Sequence, residues 1–355
     1  MIEPMTTALA PPALAAPPPA VIDVPLDDAE RARRIRVAVR ARSRQLRERY
    51  PILRHQDALG AGILAVSTLA VIGTAAAYIT GVLAWWIAVP IAAFFMGIAH
   101  EIEHDAIHRL YFTRNKPAQH VMFAVVWLLR PYTISPWARR PLHLLHHEQS
   151  GSERDLEEKG ITNGEPWNLK RLVTMIDPLA NVVLRLPQDR AKRAIKVRFV
   201  ANAWFPLTYV ALAIWYGFLT LGLAHLVTGG SFAATGIPAT VLGVLQVLTV
   251  VWIAPNVLRV ACLHFISSNM HYYGDVEVGN VIQQTQVLNR WWLWPAQLFC
   301  ANFGSTHGIH HFVPNDPFYV RQLTAKLGHQ VMRQHGVRFN DLGTFRRANR
   351  FATAS

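Results

Sequence analysis

The sequence predicts an all-α integral membrane protein: four transmembrane helices in two hairpins, with a helical cap on the cytoplasmic face. Three observations carry this expectation. Apolar residues make up 52% of the chain and charged residues only 16%, against about 25% charged in an ordinary soluble domain. Two long blocks are free of charge: no Lys or Arg occurs between His55 and His108 or in 199–258, and no Asp or Glu in 59–99 or 199–258. Each block is long enough for two helices of about 20 apolar residues, the length needed to cross the hydrocarbon core. The basic residues behind the net charge of +13 all lie outside those blocks, a distribution that suits a membrane surface rather than nucleic acid.

Residues 1–27, including PPALAAPPPA, are expected to be disordered, and they lack the basic start and apolar core of a secretory signal peptide. Residues 28–50 read as a basic amphipathic helix, with nine arginines between positions 31 and 49, resting on anionic lipid headgroups. A membrane domain then occupies 51–325. Its first span is 59–79, and Thr80-Gly81 separates it from the second, 82–99. The third span is 201–227, the polar stretch TGGSFAATG turns the chain, and the fourth span is 238–258. The segments 121–129 and 290–299 read as helices lying in the interface, the latter carrying three tryptophans. Residues 326–355 are expected to form a cytoplasmic C-terminal tail.

Both turns inside the hairpins lack Lys and Arg, while every segment outside the hairpins is basic. The positive-inside rule therefore places the N-terminus, residues 100–198 and the C-terminus together in the cytoplasm.

That topology puts the histidine-rich segments on one side of the membrane. HLLHH at 143–147 is repeated in spacing by HGIHH at 307–311. On a helix, His143, His146 and His147 are neighbours at i, i+3 and i+4, as are His307, His310 and His311. The string HEIEHDAIH sets His100, His104 and His108 at steps of four. Imidazole is a good ligand for iron, zinc and copper, and helical spacing lets several rings converge on one ion. His55, His120, His225, His329 and His335 stand alone and read as ordinary histidines, with His225 near the outer end of the third span. Cys262 and Cys300 are the only cysteines, which excludes a disulfide framework and a cysteine-held cluster.

The three boxes HDAIH, HLLHH and HGIHH, in this order and around two pairs of spans, resemble those of the membrane fatty acid desaturase superfamily, which includes related hydroxylases, alkane monooxygenases and carotenoid ketolases. The resemblance covers about 55–325. HLLHHEQSGSERDLE keeps an acidic residue after the second box, with Asp155 an outer-shell partner, and HGIHHFVPNDPFY resembles the run that follows the third box. The family also uses a histidine after the fourth span, commonly in N-x-x-x-H-x-x-G. Here SSNMHYYG supplies His271 and Gly274, with Ser267 four residues before His271 and Asn269 only two before it. HEIEH fits the first box as well as HDAIH does, but the 35-residue step from His108 to His143 suits the family better than the 39 from His104.

The resemblance implies a non-haem di-iron centre, two Fe held by His104, His108, His143, His146, His147, His271, His307, His310 and His311, with His100 or His264 as further candidates. It implies O2 as co-substrate and desaturation of a fatty-acyl chain carried on CoA, a carrier protein or a lipid. Hydroxylation or ketolation of a lipid, alkane or carotenoid uses the same ligands. Only 44 residues follow His311, too few for a haem or flavin domain, so electrons are expected from a separate ferredoxin or rubredoxin and its reductase. A non-redox metal transporter or intramembrane zinc hydrolase is the distant alternative. A transporter calls for ionisable residues inside the spans, and the four expected spans hold no Asp, Glu, Lys or Arg.

Overall fold

The computed structural model describes residues 26–352, and the expectation for 1–27 lies almost wholly outside them. The regular elements among the described residues are all helices, joined by turns and loops, with two isolated bridges, His271 with Thr285 and Val287 with Phe339.

The basic segment forms helix α1, Asp28–Arg49, started by the Asp27 carboxylate, which accepts from the Glu30 amide at 2.7 Å. Ala32, Ile35, Val39 and Leu46 form its buried stripe. Most of that stripe packs inside the protein, beside Ile309, Val313 and Met332, with arginines covering the outer face.

Helices α2 (Gln56–Ile79) and α3 (Trp85–Ile107) are packed together, and both are long and apolar enough to cross a membrane. Gly60 of α2 lies under the Tyr111 ring, where a Cβ would sit 2.5 Å from ring carbons. The expected second span ends at 99, but α3 continues to Ile107, carrying Glu101, Glu103, His104 and Asp105, all buried. These charges are tolerated because they pair: Arg321 bridges Glu101 and Asp105 at 3.0 and 2.9 Å, and Glu103 meets Arg130 and Arg139.

Helices α4 (Lys116–Leu129), α5 (Pro136–Gln149), α6 (Leu156–Gly160), α7 (Leu169–Ile176) and α8 (Pro178–Leu184) follow. The apolar segment 121–129 lies within α4. The third expected span, 201–227, is divided. Helix α9 (Arg190–Trp204) stops before Pro206, and α10 (Leu207–Val227) carries the apolar run. Proline lacks the N–H that would continue the ladder and disfavours helix in the residue before it.

The fourth apolar helix runs without a break from Gly236 to Met270, as α11 (Gly236–Leu248), a π turn (Thr249–Ile253) and α12 (Ala254–Met270). Pro255, at the start of α12, cannot donate to the carbonyl one turn back, and the π turn just before it absorbs the mismatch. The expected end at 258 is passed by 12 residues, so Arg259 and His264 lie on this helix.

Instead of one interfacial helix at 290–299, a short turn (Trp291–Leu293) leads into α14 (Trp294–Leu298), after α13 (Val281–Gln284). Trp291, Trp292 and Trp294 remain exposed. Helices α15 (Phe303–Phe312) and α16 (Phe318–Gln334) follow, and a short turn, Leu342–Phe345, comes after them.

The expected tail needs correction. Its boundary falls inside α16, and Met332, Val337, Thr344 and Asn349 are buried. Asn349 is held from two directions: Arg171 Nη2 donates to its side-chain oxygen at 2.6 Å, and its carbonyl accepts from the Tyr273 amide at 2.8 Å. The sequence of this segment is polar, but its polar groups are spent on internal partners rather than on water.

Candidate metal centre

Four pieces of backbone bring the histidines together: the end of α3, the last turns of α5, the last turns of α15, and the residue just beyond α12. Helix α15 begins tightly. Asn302 adopts φ 61°, and Gly304 packs where a Cβ would lie 2.7 Å from Ile266. That close approach seats α15 against α12, and the Phe303 ring stacks on His307 with centroids 3.9 Å apart.

The nine histidines resolve into two groups whose candidate ligand atoms lie within 4.8 Å of one another: His104, His108, His143, His147 and His310, and then His146, His271, His307 and His311. The second and third boxes are each divided between the groups.

In the first group four Nε2 atoms form a closed ring, with edges His108–His143 3.0 Å, His143–His147 3.3 Å, His147–His310 2.9 Å and His310–His108 3.0 Å. One ring nitrogen carries either a proton or a lone pair, so hydrogen bonds can satisfy only two of those four edges. A square of that edge has its corners about 2.1–2.2 Å from its centre, close to a metal–imidazole bond. Both nitrogens of His104, and Nδ1 of His307 and His310, are buried without a hydrogen-bond partner, which is unusual for groups that are neither catalytic nor liganded. In the second group the Nε2 atoms of His271 and His311 lie 3.3 Å apart. The donor set fits two metal ions.

The opposite edges of the rings are held. Asp155 Oδ2 lies 2.8 Å from His146 Nδ1, Glu157 Oε2 2.6 Å from His143 Nδ1, Glu158 Oε1 3.2 Å from His271 Nδ1, and Gln284 Oε1 3.2 Å from His311 Nδ1. His271 Nδ1 also reaches the carbonyl of Ser267 at 3.0 Å and its hydroxyl at 3.2 Å, so Ser267 occupies the place where the sequence pattern calls for asparagine. Partners of this kind fix the ring and raise its basicity as a ligand. Asp155 was legible in the sequence. Glu157 and Glu158 follow it directly in the run DLEE, a signal that could have found them. Gln284 had none.

Burial holds His108, His147, His307, His310 and His311 well below the ordinary imidazole value, and takes His271 down to about 3. Burial also lowers His143, against the opposing pull of Glu157. Neutral imidazole is the form that binds metal. His146 differs. Burial works against its charged form, but the Asp155 carboxylate, helped by Glu158 and Glu157, raises it to about 9. Burial would raise Glu157 too, yet His143 and Arg139 hold it well below the carboxylate range.

The sequence matches the family described as "Fatty acid desaturase" over residues 80–343. The chain belongs to the fatty acid desaturase family. No curated protein matches it. The span matched to the desaturase family contains all nine grouped histidines, and leaves out α1 and all of α2. His100 and His264 join neither group. His264 Nδ1 meets the Met175 carbonyl at 2.7 Å, and His100 lies near Arg139. The isolated histidines are also elsewhere: His120 with Trp137, His329 with the Ser305 carbonyl, His225 with the Ala233 amide.

Proposed function

We propose that this desaturase-family protein is an O2-dependent di-iron oxidoreductase that introduces a double bond into a fatty-acyl chain. Its four long apolar helices would cross the bilayer as two hairpins, with both termini and the metal centre on the cytoplasmic side. The observation that supports this reading best is the division of nine histidines, seven buried and two half-buried, into two compact groups. Two irons, when bound there, supply oxidation of an unactivated C–H bond: O2, two electrons and two protons are consumed, two hydrogens leave adjacent carbons, and two waters form.

The chain's own residues hold and shield. His104, His108, His143, His147 and His310 would hold one ion, and His146, His271, His307 and His311 the other. Asp155, Glu157, Glu158 and Gln284 keep the rings aimed inward. Helices α3, α5, α12 and α15 surround the rings and exclude water, which protects a reactive oxidant from side reactions. Electrons would come from a separate ferredoxin or rubredoxin and its reductase, and the substrate would be an acyl chain linked to CoA, a carrier protein or a lipid.

Lipid profiling of a host expressing the protein, beside a His310→Ala control at matched expression, tests this. New unsaturated chains with the native protein alone are the expected result. Hydroxylated or oxo products would reassign it to the hydroxylase and ketolase branch. Protein retaining stoichiometric zinc, and inactive after loading with ferrous iron, would favour a hydrolase.

A further inference from the structure

Helix α1 lies outside the residues matched to the desaturase family, yet it packs on the helix that carries the third histidine box. Ile35 and Val39 share a buried cluster with Ile309 and Phe312 of α15. Ile309 immediately precedes His310, and Phe312 immediately follows His311. Gly328 of α16 fits between the two helices: a Cβ there would lie 3.0 Å from Ile309 and 3.8 Å from Val39. Towards its C-terminal end α1 is pinned by Ser43 and Arg47, which both donate to Asp316 at 2.9 Å.

The face of α1 turned away from this contact is built of arginine. Arg31, Arg33, Arg34 and Arg47 pair with Asp28, Glu30 or Asp316. Arg36, Arg40 and Arg44 have no carboxylate partner among the described residues, and they step by four along one stripe of the helix. Arg40 and Arg44 are exposed and Arg36 is half-buried. Like charges at i and i+4 disfavour the helix that carries them, and an acidic partner would reverse that effect. A helix lying in the membrane interface sets its apolar face in the lipid. Helix α1 has given that face to α15 and α16, which favours an acidic protein over a lipid surface.

We infer that the stripe of Arg36, Arg40 and Arg44 is the docking face for the electron donor, a small acidic iron–sulfur protein. This rests on the reading above, which calls for an external donor. Because α1 packs directly on α15, a donor on its outer face is separated from the third box helix by one helix diameter, about 10 Å. Each docking passes one electron, oxidising the donor and reducing the metal centre, and two such transfers supply the two electrons that a turnover consumes. Complementary charge speeds such encounters and makes them sensitive to salt.

The test uses full-length protein in nanodiscs, with an acidic 2Fe–2S ferredoxin and an acidic rubredoxin as probes. Native protein is expected to bind at least one of them, with an affinity that falls as salt rises. Arg36→Gln, Arg40→Gln and Arg44→Gln together are expected to weaken that binding about tenfold, the combined size of three exposed ion pairs. Neutralising Arg190, Lys192 and Arg198, three exposed cations of α9, in the same way is expected to change it by about twofold or less. Iron content, melting temperature and turnover driven by dithionite are expected to match the native protein in the α1 variant, which separates docking from damage to the metal centre. Binding of neither probe, an α1 variant that binds as the native protein does, or equal losses in the two triple variants overturns the docking face. If native protein forms no unsaturated product even with dithionite, the acyl-chain reading is what fails, and the binding comparison still decides the docking face. A fluorophore on Val37→Cys, with Cys262→Ser removing the other accessible thiol, reports the occupant directly. A spectral change on adding the bound probe supports the proposal. A change only when phosphatidylglycerol replaces phosphatidylcholine in the disc assigns the stripe to the membrane and overturns it.

Discussion

The two histidine groups are built differently. The five-histidine group draws four members from helices and His108 from the C-cap just beyond α3, and four of its nitrogens are linked in a ring with edges of 2.9–3.3 Å. Only His143 among these five has a carboxylate on its other nitrogen. The four-histidine group includes His271, which lies beyond the end of α12, and three of its four members lean on Asp155, Glu158 or Gln284. Each group thus includes one ligand at a helix C-cap, and they differ in side-chain partners, one of five members against three of four.

The largest expected effect comes from the ring itself. His310 takes part in two of its four edges, so His310→Ala is expected to abolish product formation and cost at least one iron per chain. Metal analysis and product yield at matched expression check this. His271→Ala is expected to abolish product as well, but to lower iron from about two to about one, because the five-histidine group keeps all its members. Loss of both irons in His271→Ala would remove the distinction between the groups.

Asp155→Asn keeps the shape of the partner and removes its charge. It is expected to weaken the second ion about 10–100-fold, the range for a lost outer partner, and Glu103→Gln, which touches no grouped histidine, is expected to leave that affinity unchanged. Competition with a chelator reads both.

Acidification separates the groups further. His146 is raised to about 9, so at neutral pH a metal must displace its proton, whereas burial already keeps the first group neutral. The sign is that lower pH favours the proton. Affinity at the four-histidine group is expected to fall about tenfold per pH unit below 9, while the other changes little near pH 7, so its iron leaves first. Iron retention measured across pH 6 to 9 checks this. Smallest of all, His225→Ala is expected to shift stability by about 0.5 kcal/mol or less and to leave iron content alone, since His225 sits at the far end of α10 with only a local amide contact.

The uncharged blocks were legible because hydropathy is a local property: a run of apolar residues makes a long helix whatever surrounds it. The boxes were legible for a similar reason, since i, i+3, i+4 spacing sets three rings on one face before any partner is known. The sequence therefore determined the helical class, four long apolar helices and the nine histidines that the fold gathers.

Helix ends were less legible. Composition marked where apolar character stops, at 99 and 258, but α3 and α12 continue as long as buried ion pairs and carbonyls from elsewhere can satisfy their polar side chains. Arg321 and Leu129, which do so, are remote in sequence. The same holds for the last 25 or so described residues, whose polar groups close onto Ser268, Tyr273 and Asp275.

Only the tertiary structure decided how the boxes are shared. His143 and His147 turn to one group while His146, between them, turns to the other. Nothing in HLLHH distinguishes them. Neighbouring rings on one helix face diverge at their tips, and which tip meets which partner depends on the helices that approach from α3, α12 and α15. The tertiary structure likewise set Gln284 behind His311 and left Arg259 without a counter-charge. Such facts depend on where distant segments come to rest, and a local pattern carries no information about that.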